Sequence, residues 1–212
     1  MSLFLSTIGR LRWIQRWSLK RNTLPENVME HSWEVGVIAH LLGVINRSVF
    51  NGELNPERLA TLAIYHDCAE SITGDLPTPV KYYSKEIQQA YRVIEQDAEQ
   101  ALLAMLPEEI QDAMADYIQE QASYWLERKY LKAADSLSAL LKAKAELDNG
   151  NQEYQHTYQD LQARLAAYDL PEVSYFLEHF SASARASELS SLDHSHGDHS
   201  FFAKQSLSRI RA

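Results

Sequence analysis

The chain predicts an all-α fold, and three features carry that expectation. Only 7 Gly and 6 Pro occur in 212 residues, while the helix formers Ala, Leu, Glu, Gln and Lys are plentiful. Apolar residues recur at i, i+3, i+4 and i+7 through most segments, and no convincing strand pattern or internal repeat appears. Helix start and stop signals punctuate these segments. With 45% hydrophobic residues the chain is long enough for one domain with a sizeable core.

The elements follow in order. Asn27 with Glu30 three positions on has the form of a helix cap, and the helix it opens should run to about residue 47, before "NGELNP". Along it His31, Val35, Ile38 and Leu42 share one apolar face. A second helix is expected from Pro56 to about Thr73, where Gly74 can end it. There Leu59, Leu62, Ala63 and His66 line the inner face, with Asp67 and Glu70 gathered at its edge. "DLPTPVKYY", with two prolines, reads as a stiff non-helical loop. A charged helix over residues 84–106 follows, then one from Pro107 to about Trp125. The next, residues 127–148, places Tyr130, Ala134, Leu137 and Leu141 on a buried stripe beside Asp135, and "DNGN" stops it. A last helix is expected over residues 152–168, with "VSYFLEHF" packing back on the body. The domain thus spans residues 1–180. Residues 181–212 turn rich in Ser and His, lose periodicity and read as a mobile tail.

Charge and cysteine content narrow the function classes. The formal net charge of −9 argues against coating nucleic acid. Arg10, Arg12, Arg16, Lys20 and Arg21 crowd one stretch that can hold a small anion or form a solvated face, and is too short to track a duplex. A single Cys, Cys68, permits no internal disulfide and fits a reducing, cytoplasmic setting. The longest apolar run, residues 35–45, contains His40 and is far short of the about 20 residues a membrane span needs. The N-terminus lacks the pattern of a signal peptide, so no membrane partner is expected.

One stretch demands an explanation. "LATLAIYHDCAE", residues 59–70, is largely apolar yet places a His, an Asp and a Glu within five positions, and isolated buried charges cost several kcal/mol. Three helices each present a ligand-type side chain toward the core: His31, then His66 with Asp67, then Asp135. Two imidazoles and two carboxylates suit one divalent transition ion such as Mn2+, Co2+, Fe2+ or Zn2+, which would offset the buried carboxylates and polarise a phosphoryl oxygen. Each residue alone has a plainer reading, as a hydrogen-bonded core His or an Asp135–Lys132 pair. The set points to a metal.

The order H…HD…D resembles the HD-domain superfamily of metal-dependent phosphohydrolases. Within it, "RNTLPENVMEHSWEVGVIAHLL", "LAIYHDCAESITGDLPTPVKYY" and "LKAADSLSALLKAKAEL" resemble the bacterial 5′-deoxynucleotidases, over roughly residues 4–180. H…HD…D alone is moderately specific; "HD" followed by "E", then "GDLPTPVK", with "RW" ahead of the first His, is far more so. The resemblance implies one HD-domain helical bundle with its metal site between helices. It implies His31, His66, Asp67 and Asp135 as metal ligands, with Co2+ or Mn2+ as the ion. Arg16 would orient the substrate phosphate, Trp17 shape the sugar pocket, and Glu70 act on the attacking water or leaving group. Asp75, Leu76, Pro77 and Thr78 would contact the nucleotide, with Asp75 at the deoxyribose hydroxyl. The implied activity is hydrolysis of 2′-deoxyribonucleoside 5′-monophosphates by a homodimer. Alternatives with the same ligands are an HD-type deoxynucleoside triphosphohydrolase, a cyclic-nucleotide phosphodiesterase, or a catalytically silent nucleotide-binding protein. Cys68, one residue past Asp67, should point away from the ligands and pack, and the tail motif "DHSHGDHS" lies outside the resemblance.

Overall fold

A computed structural model describes residues 3–119 and 124–181. They form ten α-helices and no strand. A short helix, α1 (Phe4–Ile8), a 3-10 turn over Gly9–Trp13 and an extended loop lead to α2 (Val28–Phe50). Asn27 and Glu30 close the expected capping box at the α2 start, and Asn51 ends the helix in the left-handed region. From there the chain runs through α3 (Pro56–Tyr65), α4 (Glu70–Thr73), α5 (Thr78–Lys81), α6 (Lys85–Ala104) and α7 (Glu108–Ile118), then α8 (Trp125–Asp148), α9 (Gln155–Ala166) and α10 (Pro171–Phe180).

Helix α2 lies at the centre, packed on α3, α8 and α10, while α9 covers α8. The main core joins Val35, Ile38 and Leu42 of α2 to Leu59 and Ala63 of α3 and to Tyr130, Ala134, Leu137 and Leu140 of α8. Burying such side chains stabilises the fold by about 1.5–3 kcal/mol each. A smaller cluster unites Phe4, Cys68, Leu102, Leu103 and Ile118. Cys68 therefore packs, as its position on the helix implied, and burial pushes its thiol up to about 12, which makes it inert.

Four expectations need correction. The second helix does not run unbroken to Thr73. It stops at Tyr65, because the His66 ring donates to the Ala63 carbonyl (Nδ1–O 2.6 Å), which would accept from the Asp67 N–H in a continuous α-helix. Residues 66–72 continue with tighter i to i−3 bonds, such as Cys68 N–H to Tyr65 O (3.0 Å), before α4 closes. The proline-rich loop contains a helical turn, α5, since Pro79 sits in its first turn, where an N–H is not needed. Helix α7 ends at Ile118, with Gln119 extended. There Arg58 of α3 draws the chain back, stacking over Tyr124 (4.3 Å) and Tyr117 (5.5 Å) with Glu127 at 3.9 Å. The last expected helix begins as a 3-10 turn over Gln152–Tyr154 and ends at Ala166. The tail from residue 182 onward, including "DHSHGDHS", lies outside the described residues.

The α2–α3 crossing is close enough to require glycine. A Cβ on Gly43 would stand 2.7 Å from the Pro56 Cα and 3.2 Å from a Leu59 methyl. Gly43→Ala is expected to destabilise the protein by about 1–3 kcal/mol, read as a lower urea midpoint at unchanged slope; an unchanged midpoint would mean the helices part freely.

Candidate active site

Three places in the fold deliver the polar cluster. His31 stands one turn into α2 and is fully buried. His66 and Asp67 occupy the break between α3 and α4, and Asp135 sits mid-way along α8. His31, His66 and Asp67 each offer a ligand atom, all within 4.8 Å of one another. The two rings lie 5.4 Å apart, tilted by 56°. Asp135 stands just outside this tight set, its Oδ1 3.1 Å from His31 Nε2 and its side chain 45% exposed, so the cluster opens to solvent on the α8 side.

The hydrogen bonds behind the rings decide which nitrogen faces inward. His66 Nδ1 meets a carbonyl, Ala63 O, which can only accept, so Nδ1 carries a proton. His31 Nδ1 lies 3.1 Å from Ser138 Oγ, which donates onward to Glu34 Oε2 at 2.5 Å; the ring therefore donates to the hydroxyl. Both arrangements turn Nε2 toward the carboxylates, and both Nε2 atoms are buried without a hydrogen-bond partner, despite Asp67 Oδ2 standing 3.1 Å from His66 Nε2 and 3.7 Å from His31 Nε2. Two orphaned imidazole nitrogens between two carboxylates are what a divalent cation would satisfy. The donor set fits a metal.

Charges around this point are strongly perturbed. Burial raises Asp67, but His66, His31 and Arg16 outweigh it and hold the carboxyl well below its usual range. Burial likewise raises Asp135, and the His31 ring outweighs it, leaving it lowered. Glu70 goes the other way. Burial, followed by the charges of Asp67 and Asp75, pushes it up to about 9 against the pull of Arg16 and His66. Its Oε2 is buried without a hydrogen-bond partner, and without a metal the raised value favours the protonated acid. Arg16 Nη1 lies 3.5 Å from Asp67 Oδ2 and its Nε 3.5 Å from Glu26 Oε2. Burial lowers this guanidinium, yet the carboxylates of Asp67, Asp135, Glu26 and Glu70 raise it overall, so it stays charged.

The structure thus brings together Arg16, His31, His66, Asp67, Glu70 and Asp135. Trp17 stands beside Arg16 in the left-handed region (φ 59°), its Nε1 donating to Glu26 Oε2 at 2.6 Å and its ring 5.4 Å from Tyr154. Asp75 is tied in through its charge on Glu70. Leu76 and Pro77 are half-buried and Thr78 exposed where α5 begins, and none of the three belongs to the ligand cluster. Of the N-terminal cations, Arg16 points into the site, whereas Arg10, Arg12 and Arg21 are exposed. Sequence reasoning missed Glu26, Glu34 and Ser138. The last two had a signal: Glu34 lies three residues after His31 and Ser138 three after Asp135, on the same helix faces.

An all-helical bundle that brings a His, a His-Asp pair and a distant Asp to one point defines an HD-domain phosphohydrolase. An HD-domain phosphohydrolase (lin2634) from Listeria innocua is 25% identical with a TM-score of 0.74, over 90% of this chain and 94% of that one. The cyanophage S-2L HD phosphohydrolase DatZ, bound to dA and one catalytic Zn2+ ion, shares the fold at a TM-score of 0.55 and 22% identity, over 83% of this chain and 95% of that one. The family model for 5′-deoxynucleotidase YfbR-like proteins matches residues 3–184, and the chain belongs to that family of hydrolases. It is 46% identical over 182 residues to the 5′-deoxynucleotidase VP0926 of Vibrio parahaemolyticus, covering 86% of this chain and 94% of that protein. It is also 46% identical over 179 residues to the 5′-deoxynucleotidase YfbR of Shigella boydii, covering 84% of this chain and 90% of that protein.

Proton competition should govern metal binding. Without a metal, burial pulls the His66 ring down, but Asp67 and then Asp135 outweigh it and raise the ring to about 9. A ligand must be neutral, so below that value each ion bound expels a proton. Affinity for Mn2+ is expected to rise about tenfold per pH unit between pH 6.5 and 8.5 and to level off above. Titration of the stripped protein at three pH values checks this, and a flat profile would contradict the proton count.

Proposed function

We propose that this protein removes phosphate from 2′-deoxyribonucleoside 5′-monophosphates, using one divalent ion, Co2+ or Mn2+, held by His31, His66, Asp67 and Asp135. The observation that carries the reading is the pair of buried, unpartnered Nε2 atoms beside a charged arginine. The relatives named as 5′-deoxynucleotidases, and a dA-bound neighbour carrying zinc, support the substrate class.

When bound, such an ion supplies Lewis acidity toward the phosphoryl group and acidifies water. The protein's own groups do the rest. Arg16 keeps its charge beside Asp67, and its Nη nitrogens form the fork for the non-bridging phosphate oxygens. A water oxygen bonds to phosphorus as the bond to the sugar O5′ breaks; the departing O5′ takes the proton of Glu70, and one of the two protons the water brings to the phosphate restores it. The raised carboxyl of Glu70 favours this role over that of a base for the attacking water. Trp17, fixed between Glu26 and Tyr154, forms the sugar wall, and Asp75, between α4 and α5, receives the deoxyribose hydroxyl. A wall alone rejects an added hydroxyl by a modest factor, so the preference for deoxyribose needs both contacts.

Arg16 is the cation that touches the ligand set, while Lys20 bonds Glu153 and Thr157 and Lys81 bonds Glu95. One guanidinium suits a monophosphate better than the longer anion of a triphosphohydrolase substrate. A cytoplasmic homodimer acting on free nucleotides completes the reading: the chain is acidic, and among the described residues no helix is long and apolar enough to cross a membrane.

Stripped protein resupplied with Co2+, Mn2+, Mg2+ or Zn2+ is expected to release phosphate rapidly from dAMP and slowly from AMP. Equal rates would keep the phosphatase and remove the sugar discrimination; no release with any ion would refute the activity. Glu70→Gln should lower kcat by about a hundredfold or more with KM little changed. An equal loss in KM alone would assign Glu70 to binding.

A further inference from the structure

The segment that carries Arg16 and Trp17 is a closed loop gripped at both ends. Its neck is a backbone bridge: Arg16 N–H donates to Glu26 O and Val28 N–H to Ile14 O, both at 3.0 Å. Its far tip meets the C-terminal end of α8, where Glu146 is fully buried. That carboxylate accepts from Thr23 N–H (2.9 Å), Thr23 Oγ1 (2.7 Å), Leu24 N–H (3.0 Å), Asn151 Nδ2 (2.8 Å) and Lys142 Nζ (2.5 Å). Lys142 and Asn151 also reach the loop backbone, donating to Leu24 O and, at 2.8 Å, to Arg21 O. Tyr154, whose ring meets Trp17 at a tilt of 59°, donates its hydroxyl to Asn22.

A buried anion that spends its oxygens on one loop's backbone, with a lysine to balance its charge, holds that loop in place at the cost of desolvating two ions. The same helix carries Asp135. Asp135, Ser138, Lys142 and Glu146 fall at i, i+3, i+7 and i+11 on one face, so Glu146 stands about 16 Å along the helix from Asp135. One straight element therefore sets both the metal ligands and the loop that faces them. The strained left-handed backbone at Trp17 needs such support, since a free loop would relax it.

We propose that Glu146 is a positioning residue for substrate: its grip on Thr23 and Leu24 fixes where the Arg16–Trp17 loop stands relative to the ligands on α8. This rests on the reading that Arg16 and Trp17 contact the nucleotide. Glu146 touches neither substrate nor metal.

The test is Glu146→Gln, assayed with saturating Mn2+ on dAMP and AMP beside Arg16→Gln. Glu146→Gln is expected to raise KM for dAMP about tenfold or more, lower kcat less, and shrink the dAMP-over-AMP preference. Affinity for Mn2+ without substrate should stay within about twofold of wild type, which a general loss of structure would not allow. Phe176→Leu, a buried change on α10 far along the chain from the loop, controls for stability: it should lower Tm and leave KM unchanged. A folded Glu146→Gln protein with wild-type KM and preference overturns the proposal. Should that variant fail to fold, Thr23→Val removes one hydroxyl donor and should shift KM the same way by a smaller factor; no shift there overturns it equally. If Arg16→Gln leaves KM unchanged, the substrate reading itself fails and takes the proposal with it. A large effect of Arg16→Gln with none from Glu146→Gln overturns the proposal alone.

Discussion

Carboxylates crowded around a single guanidinium are the constraint on which the site depends. Asp67, Asp135 and Glu26 act on Arg16, and Asp75 acts with Asp67 on Glu70. Like charges in one partly buried place cannot all remain ionised without compensation. The protein resolves this in three ways. Asp67 and Asp135 keep their charge against the imidazoles, Arg16 keeps its own, and Glu70 is raised toward the protonated acid. The leftover demand for positive charge falls where the two orphaned Nε2 atoms point, and that is a cation site.

Everything around the cluster serves to hold it against its own repulsion. Helix α2 supplies His31 from the middle of the core, and its capping box fixes the turn from which the ring projects. The break after Tyr65 is part of the same design, because the His66 ring both ends α3 and, by spending Nδ1 on Ala63 O, turns Nε2 inward. Glu34 and Ser138 do the corresponding task for His31 from two different helices. A ligand whose outer nitrogen is already bonded loses little freedom when it binds, which is why such supporting bonds tune metal affinity.

The buried Lys142–Glu146 pair belongs to a different economy from the site. An ion pair of this kind adds little net stability once desolvation is counted, and a hydrophobic pair of similar volume often does as well. What apolar residues cannot do is accept hydrogen bonds from the N–H groups of Thr23 and Leu24 and so hold an irregular loop at a defined height. The loop needs that, since its backbone lacks the internal bonds of a helix or sheet.

Much of this molecule could be read from its residues. The helical periodicity, the Asn27–Glu30 cap, the apolar face of α2 and the stripe of α8 are local, and short-range sterics and hydrogen bonding determine them. The ligand set was legible because each of His31, His66 with Asp67, and Asp135 interrupts an apolar pattern at a core-facing position. Tertiary structure decided the rest. Periodicity alone does not stop a helix at Tyr65 or at Ile118: the His66 ring ends the first by taking the carbonyl of Ala63 three residues back, and Arg58, from another helix, gathers tyrosines on both sides of the second. Glu26 and Glu146 look like ordinary surface acids in sequence, and only the folded loop between them gives both a task. The raised carboxyl of Glu70 likewise follows from burial and the charges of Asp67 and Asp75, which come together once the chain has folded, because charge and burial act through space rather than along the sequence.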